Sequence, residues 1–310
     1  NLYRPRNASA SKHPGILVAH GHWANGRMAN QAEGSISARA ITFARQGYVA
    51  FTYDMIGYND TRQVDHRFAK TAEHWLWGVS IMGMQTWNST RALDFLCSLP
   101  DVDTSRLAIS GESGGGTQTM ILGAIEDRLT ATAPCVMVSH TMQGGCVCEN
   151  APNLRQDVYN VEVAAVSAPR PQIIVGATGD WTATTMTHEG PALAHIYELF
   201  GKPENEKHVI FNYGHNINQT SREAVYAFLG KQFLGEQDES KLKEPPYTME
   251  PVEALRVFPD SMPLPKDAKN EEQMTAYIKQ IGQEALESRK PKDSTSLKRF
   301  QKTYGTVWEH

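Results

Sequence analysis

Leu107-Ala108-Ile109-Ser110-Gly111-Glu112-Ser113-Gly114-Gly115-Gly116-Thr117-Gln118 is the stretch on which the fold turns. Its apolar start is too short for a helix and ends in Gly-x-Ser-x-Gly, after which residues 117–125 read as a helix. Strand, tight turn and helix, with a serine at the apex, form a nucleophile elbow. The turn demands small residues at Gly111 and Gly115 and lifts the Ser113 hydroxyl above the sheet. The helix that follows aims its first N–H groups at any negative charge developing nearby. A Gly-rich turn without catalysis would share these residues, so the partners of Ser113 have to decide.

Working outward, five more short apolar runs end in small or polar residues. They are 16–19, 48–53, 135–138, 173–175 and 208–211. Without polar alternation they read as strands buried on both faces. Helical patterns fall between them, at 37–46, 84–99, 189–200 and 221–233, several closed by a glycine. Alternating strand and helix predicts an α/β domain, a mostly parallel sheet with helices on both faces. Ligands in such sheets sit beyond the carboxyl ends of the strands, where every run here carries its polar residues.

A serine hydroxyl needs a base, and the base needs an orienting acid. His215 follows the last strand, in Tyr213-Gly214-His215-Asn216, and Asp180 follows the strand before it, in Gly179-Asp180-Trp181. The order Ser113, Asp180, His215 is the one this architecture uses. Glu189 is the reserve acid, inside the next helix; His188 and His208 are poorer bases. The oxyanion hole requires two N–H donors. Gly114, after the nucleophile, is one. The other is expected from His20-Gly21-His22-Trp23, at His22, with Trp23 as the alternative.

The chain has 310 residues, 40% hydrophobic and 21% charged, with a formal net charge of −4. That is a globular composition with room for a sizeable core. Near-neutral charge and no basic block exclude an electrostatic nucleic-acid binder. No apolar run approaches the roughly 20 residues of a membrane span. No signal peptide is visible, and a start at Asn1 makes the N-terminus uninformative. Of four cysteines, Cys146-x-Cys148 lacks the paired spacing of a zinc site, and His20 and His22 lack a third clear ligand. No metal and no cofactor is therefore expected, and free thiols are preferred over a disulfide such as Cys135–Cys146.

With these residues in place, the chain resembles an α/β-hydrolase of the acetyl xylan esterase and dienelactone hydrolase-like branch. The likeness rests on His20-Gly21-His22-Trp23, on residues 111–119, on Ala168-Pro169-Arg170-Pro171, on Gly179-Asp180-Trp181-Thr182 and on Gly214-His215-Asn216. It spans about residues 15–235. It implies a serine esterase acting on acetyl or similar acyl groups of carbohydrate, a secreted or periplasmic location, Ser113, Asp180 and His215 as triad, and the N–H groups of His22 and Gly114 as oxyanion hole. Only Leu2-Tyr3-Arg4 is available for the antiparallel strands that usually precede such a core.

Residues 142–157 should overhang Ser113, where Glu149 and Asn150 could read substrate hydroxyls. Trp23, Tyr58 and Trp181 stand at strand ends and could stack on a sugar; core packing and self-satisfied loop contacts are the rival readings. Residues 236–310 hold seven of the sixteen prolines. Apart from one amphipathic helix near 271–287 they read as an irregular extension or linker, leading toward a further domain. The expected division is thus a catalytic domain over 1–235 and an extension over 236–310. Glycosylation-type triplets occur at Asn7, Asn59, Asn88 and Asn218, a pattern common by chance. Two alternatives stay open: a serine peptidase of prolyl-oligopeptidase type, and a catalytically silent binding module.

Overall fold

The computed structural model describes residues 1–6, 12–142, 144–152, 154–259 and 261–308; the Asn7 triplet lies outside these. In chain order the strands are β1 (Leu2–Tyr3), β2 (His13–Ala19), β3 (Asn30–Gln31), β4 (Gly34–Ser35), β5 (Val49–Thr52), β6 (Val102–Glu112), β7 (Ala131–Cys135), β8 (Gln172–Gly179) and β9 (Glu206–Gly214). The α-helices are α1 (Ile36–Gln46), α2 (Ala72–Leu76), α3 (Ile81–Ser98), α4 (Gly114–Ile125), α5 (Asn160–Ala165), α6 (Glu189–Leu199), α7 (Gln219–Leu234), α8 (Val252–Leu255), α9 (Glu271–Arg289) and α10 (Ser294–Trp308).

Seven strands form one sheet in the order β1-β5-β2-β6-β7-β8-β9, with β3 and β4 as a separate hairpin. All neighbours in the large sheet are parallel except β1, which pairs antiparallel to β5 at the edge. Chain order reverses direction around β2, leaving a crevice beyond the carboxyl ends of β2 and β6. The His20–Trp23 loop and the Ser113 turn open into it.

Side chains alternate across the sheet as strand geometry requires. Ile16 and Val18 join the cluster packed with α1 and α7, through Phe43 and Tyr226. Leu17 points the other way and meets Leu93 and Leu96 of α3. The helix boundaries follow from capping chemistry. Ser35 accepts from the Ala38 N–H at the start of α1, and Gly47, at φ 107°, ends it in a conformation that favours glycine. Ser80 caps α3 by accepting from Gly83, so the helix starts three residues before the predicted boundary.

One predicted strand is displaced. The run at 135–138 follows the strand instead of forming it: β7 ends at Cys135, and Val136 turns the chain at φ 46° while donating its N–H to the Val175 carbonyl at 2.7 Å. The true strand is built of small residues because α4 packs directly over it. Helix α10 was also unforeseen, although Asp293 accepts from the Ser296 N–H at its start and Leu297, Phe300 and Tyr304 recur at helical spacing.

Residues beyond Gly235 are held by buried polar groups of the sheet domain. Leu242 packs so closely on α7 that a Cβ at Gly230 would lie 2.5 Å from it. Arg222 makes two hydrogen bonds to Glu244, at 2.7 and 2.5 Å. Arg27 donates to the Leu255 carbonyl at 2.8 Å, and Asp60 accepts from the Val257 and Phe258 N–H groups. Ending the chain after Gly235 leaves Arg222 buried without its carboxylate, which alone costs about 3–5 kcal/mol. We expect the shortened protein to melt well below the full chain, while its folded fraction keeps turnover per active site on small esters. Full folding with complete loss of that turnover would instead place part of the extension in the site.

Candidate active site

Ser113 sits at the apex between β6 and α4 at φ 54° and ψ −122°, a region rarely occupied by residues with a Cβ. The turn closes so tightly that a Cβ on Gly111 would lie 2.3 Å from the Gly115 carbonyl oxygen. On Gly115 it would lie 2.7 Å from that of Ala19. The two glycines thus let β6 and α4 approach each other and β2.

His215 follows β9 and Asp180 follows β8. The imidazole Nδ1 and the carboxylate Oδ2 are 2.7 Å apart. The other oxygen, Oδ1, accepts from the Thr182 N–H at 2.7 Å and hydroxyl at 2.5 Å, which fixes the carboxylate plane. Trp181 covers the imidazole, with ring centroids 4.2 Å apart. Ser113 makes no hydrogen bond to His215 among the described residues; the two face each other as walls of one cavity. Glu189 is committed elsewhere. It accepts from His140 at the backbone and pairs with its imidazole, contacts that hold its carboxyl below the ordinary value against the upward push of burial.

Gly114 is the first residue of α4 and has no N–H partner within the helix. Trp23, the alternative donor in the other loop, is excluded: its N–H is given to the Gly21 carbonyl at 2.9 Å. The His22 N–H has no protein acceptor among the described residues. His20 shapes this loop from below. Its Nδ1 meets the Gly21 carbonyl at 2.7 Å and its Nε2 accepts from the Met55 N–H at 2.9 Å. Burial pushes its pKa down to about 3, so it is a neutral structural group.

Glu112, the variable residue of the elbow, escaped the sequence reading. Its Oε1 accepts from the Gly21 N–H at 2.9 Å and the Trp23 indole at 2.6 Å. Its Oε2 receives Arg39 of α1 at 2.5 Å, and the same guanidinium reaches the Ala19 carbonyl at 3.0 Å. Both side chains are essentially inaccessible to solvent. One buried ion pair therefore ties the His20–Trp23 loop to the serine turn.

The cavity over Ser113 has a volume of about 830 Å³. Tyr58 and Trp181 line it, as does the methionine-bearing loop after β7. Arg67 and Lys70 also stand on its wall, and neither makes an ion pair among the described residues. Three of the residues expected to read sugar have their polar groups engaged within the protein. Trp23 spends its indole N–H on Glu112. Glu149 also lines the cavity but is almost fully buried, with Oε2 accepting from the Cys146 N–H at 2.9 Å. Asn150 likewise donates to the Gly144 and Cys146 carbonyls. The loop satisfies its own polar groups.

The cysteines are all free. The fold nevertheless gathers what the spacing kept apart: His22, His66, Cys146 and Cys148 bring one ligand atom each within 4.8 Å of one another. A hydrogen bond from Cys148, aided by both imidazoles against the effect of burial, holds the Cys146 thiol far below its ordinary value.

No helix among the described residues is long and apolar enough to cross a membrane. Comparison with known proteins agrees with this geometry. The family model described as acetyl xylan esterase matches residues 1–140. A 4-O-methyl-glucuronoyl methylesterase of Phanerochaete carnosa is 27% identical over 231 residues, covering 62% of this chain and 52% of that protein. Among solved structures, methylesterase BT1017 superposes with a TM-score of 0.74 at 32% identity, over 93% of this chain and 63% of that one. A glucuronoyl esterase from Caldicellulosiruptor kristjansonii shares the fold, with a TM-score of 0.55 at 16% identity over 81% of this chain and 77% of that one. The chain spans about half the length of the curated relatives it matches. With a parallel sheet, a serine elbow after its central strand β6 and an acid–histidine pair after its last two strands, the chain has an α/β-hydrolase fold and is similar, over residues 1–140, to the acetyl xylan esterase family.

Proposed function

We propose that the chain is a serine carbohydrate esterase that cleaves methyl esters of uronic acid residues. The observation that carries the reading is one cavity faced by Ser113, by the Asp180-held His215 and by the cations Arg67 and Lys70. Uronate polysaccharides are anionic wherever they are not esterified, and two cations beside the nucleophile suit neighbouring free carboxylates. The name of the 4-O-methyl-glucuronoyl methylesterase relative supports the same substrate class, and that of methylesterase BT1017 supports the methyl ester.

The chemistry is two-step acyl transfer. His215 takes the Ser113 proton as Oγ attacks the ester carbonyl. Asp180 keeps the imidazole oriented and stabilises its cation. The N–H groups of His22 and Gly114 receive the oxyanion. Methanol leaves with the proton from His215. Water, activated by the same imidazole, then releases the free uronate from Ser113. A second reading, removal of acetyl from xylan-type sugars, uses the same steps and is favoured by the description of the family model over residues 1–140.

Release of methanol from methyl-esterified uronate oligosaccharides, measured beside release of acetate from acetylated xylan, separates the two. Dominant acetate release would overturn the methylesterase reading and leave the esterase mechanism standing. In addition, the Arg67→Ala/Lys70→Ala double variant should raise KM for a partly de-esterified uronate oligosaccharide roughly tenfold, from two partly screened charge contacts. The effect on p-nitrophenyl acetate should be much smaller. Equal effects on both substrates would count against charge recognition by these side chains.

A further inference from the structure

We propose that His22, His66, Cys146 and Cys148 form a four-coordinate Zn²⁺ site that staples three loops at the mouth of the cavity. The donors are two imidazole nitrogens and two thiolate sulfurs, a set that suits zinc over the hard cations. They come from the loops after β2, β5 and β7. Zinc–nitrogen bonds of about 2.0–2.1 Å and zinc–sulfur bonds of about 2.3 Å put tetrahedral ligand atoms roughly 3.3–3.8 Å apart. His22 Nε2 lies 3.2 Å from His66 Nε2 and 3.2 Å from Cys148 Sγ, and all four ligand atoms lie within 4.8 Å of one another.

The surroundings orient the ligands as metal sites require. His66 Nδ1 meets the Ile56 carbonyl at 2.6 Å, which assigns the proton to Nδ1 and leaves the Nε2 lone pair pointing at the cluster. His22 Nδ1 faces Glu149 Oε1 at 3.7 Å, turning its Nε2 the same way. Glu149 in turn holds the Cys146 N–H, and Asn150 ties the carbonyls of Gly144 and Cys146. The buried, self-satisfied Glu149 thus has a purpose that substrate reading did not give it. Four protein donors leave no open position, which marks a structural site rather than a catalytic one.

The consequence for the active site lies in His22. Its side chain is a ligand, while its backbone N–H is the proposed oxyanion donor. Zinc would fix that loop from the solvent side as the Glu112–Arg39 pair fixes it from the interior. Occupation displaces the Cys148 thiol proton, so binding should release a proton and tighten as pH rises.

The test uses the full chain purified without chelators. About one zinc per chain is expected by elemental analysis. After chelator dialysis under reducing conditions, Zn²⁺ alone should raise the melting temperature. Co²⁺ should give the visible bands and thiolate charge-transfer absorption of a tetrahedral S₂N₂ site. The Cys146→Ser/Cys148→Ser variant should lose both the metal and the spectrum. His66→Ala, which leaves both thiols in place, should weaken zinc binding at least tenfold and alter the cobalt spectrum, should the double variant not fold. Unchanged metal content in the folded double variant, or unchanged zinc affinity and cobalt spectrum in His66→Ala, would refute the site. So would a reduced wild-type chain that takes up no Zn²⁺, including one that returns on oxidation to a Cys146–Cys148 disulfide.

Discussion

Ser113→Ala is expected to lower ester turnover roughly 10⁴- to 10⁶-fold, the cost of removing a triad nucleophile. Residual turnover should stay above the uncatalysed rate, because the proposed oxyanion donors and the cavity remain. Ser113 Oγ makes no hydrogen bond among the described residues, so its removal leaves no buried group unpaired. The variant should therefore melt within about 1 kcal/mol of the parent stability. Ser113→Gly gives a second, independent reading of the same turn. It should be equally inactive, yet more stable than Ser113→Ala by about 1 kcal/mol, since glycine accepts φ 54° without a Cβ penalty. The measurements are kcat on p-nitrophenyl acetate, labelling by a fluorophosphonate, and urea unfolding. A well-folded Ser113→Ala protein that keeps near-parental turnover and label would remove the serine from the mechanism.

How much of this was legible in the sequence depends on distance along the chain. Ser113, Asp180 and His215 each declare themselves locally, as a polar residue just past an apolar run. The rule that sites lie beyond the carboxyl ends of parallel strands does the rest. The Asp180–His215 contact joins the last two strands, one strand–helix unit apart. The Glu112 interactions offered no such signal. A glutamate inside Gly-x-Ser-x-Gly reads as a filler, and an arginine in a helix reads as surface; only packing reveals that 73 residues of separation close to 2.5 Å. The four-donor cluster was hidden for the same reason. Its histidines stand 44 residues apart, and His22 is 126 residues from Cys148, so no spacing rule could recognise it. The displaced strand β7 failed differently. Residues 131–135 carry small side chains under a helix, while the bulkier, more strand-like Val136-Met137-Val138 lies buried past the strand end.

Glu112→Ala carries the second large expectation, and it acts on two readouts through one contact. Arg39 is wholly buried, and Glu112 is its carboxylate partner. Removing one member of a buried pair leaves an uncompensated charge and costs about 3–5 kcal/mol. The same truncation strips the Gly21 N–H and the Trp23 indole of their acceptor. The loop that presents the His22 N–H then loses its inner anchor, so kcat should fall by roughly 10²-fold, the lower range for losing one oxyanion donor. KM for a small neutral ester should change little, because Glu112 reads no substrate charge. Arg39→Met in the Glu112→Ala background separates the two effects. It removes the orphaned cation and should recover a large part of the stability, as apolar replacements of buried pairs do. It cannot restore the acceptor for Gly21 and Trp23, so kcat should stay low. Recovery of kcat together with stability would mean that Glu112 serves packing alone and that the loop holds its N–H by other means.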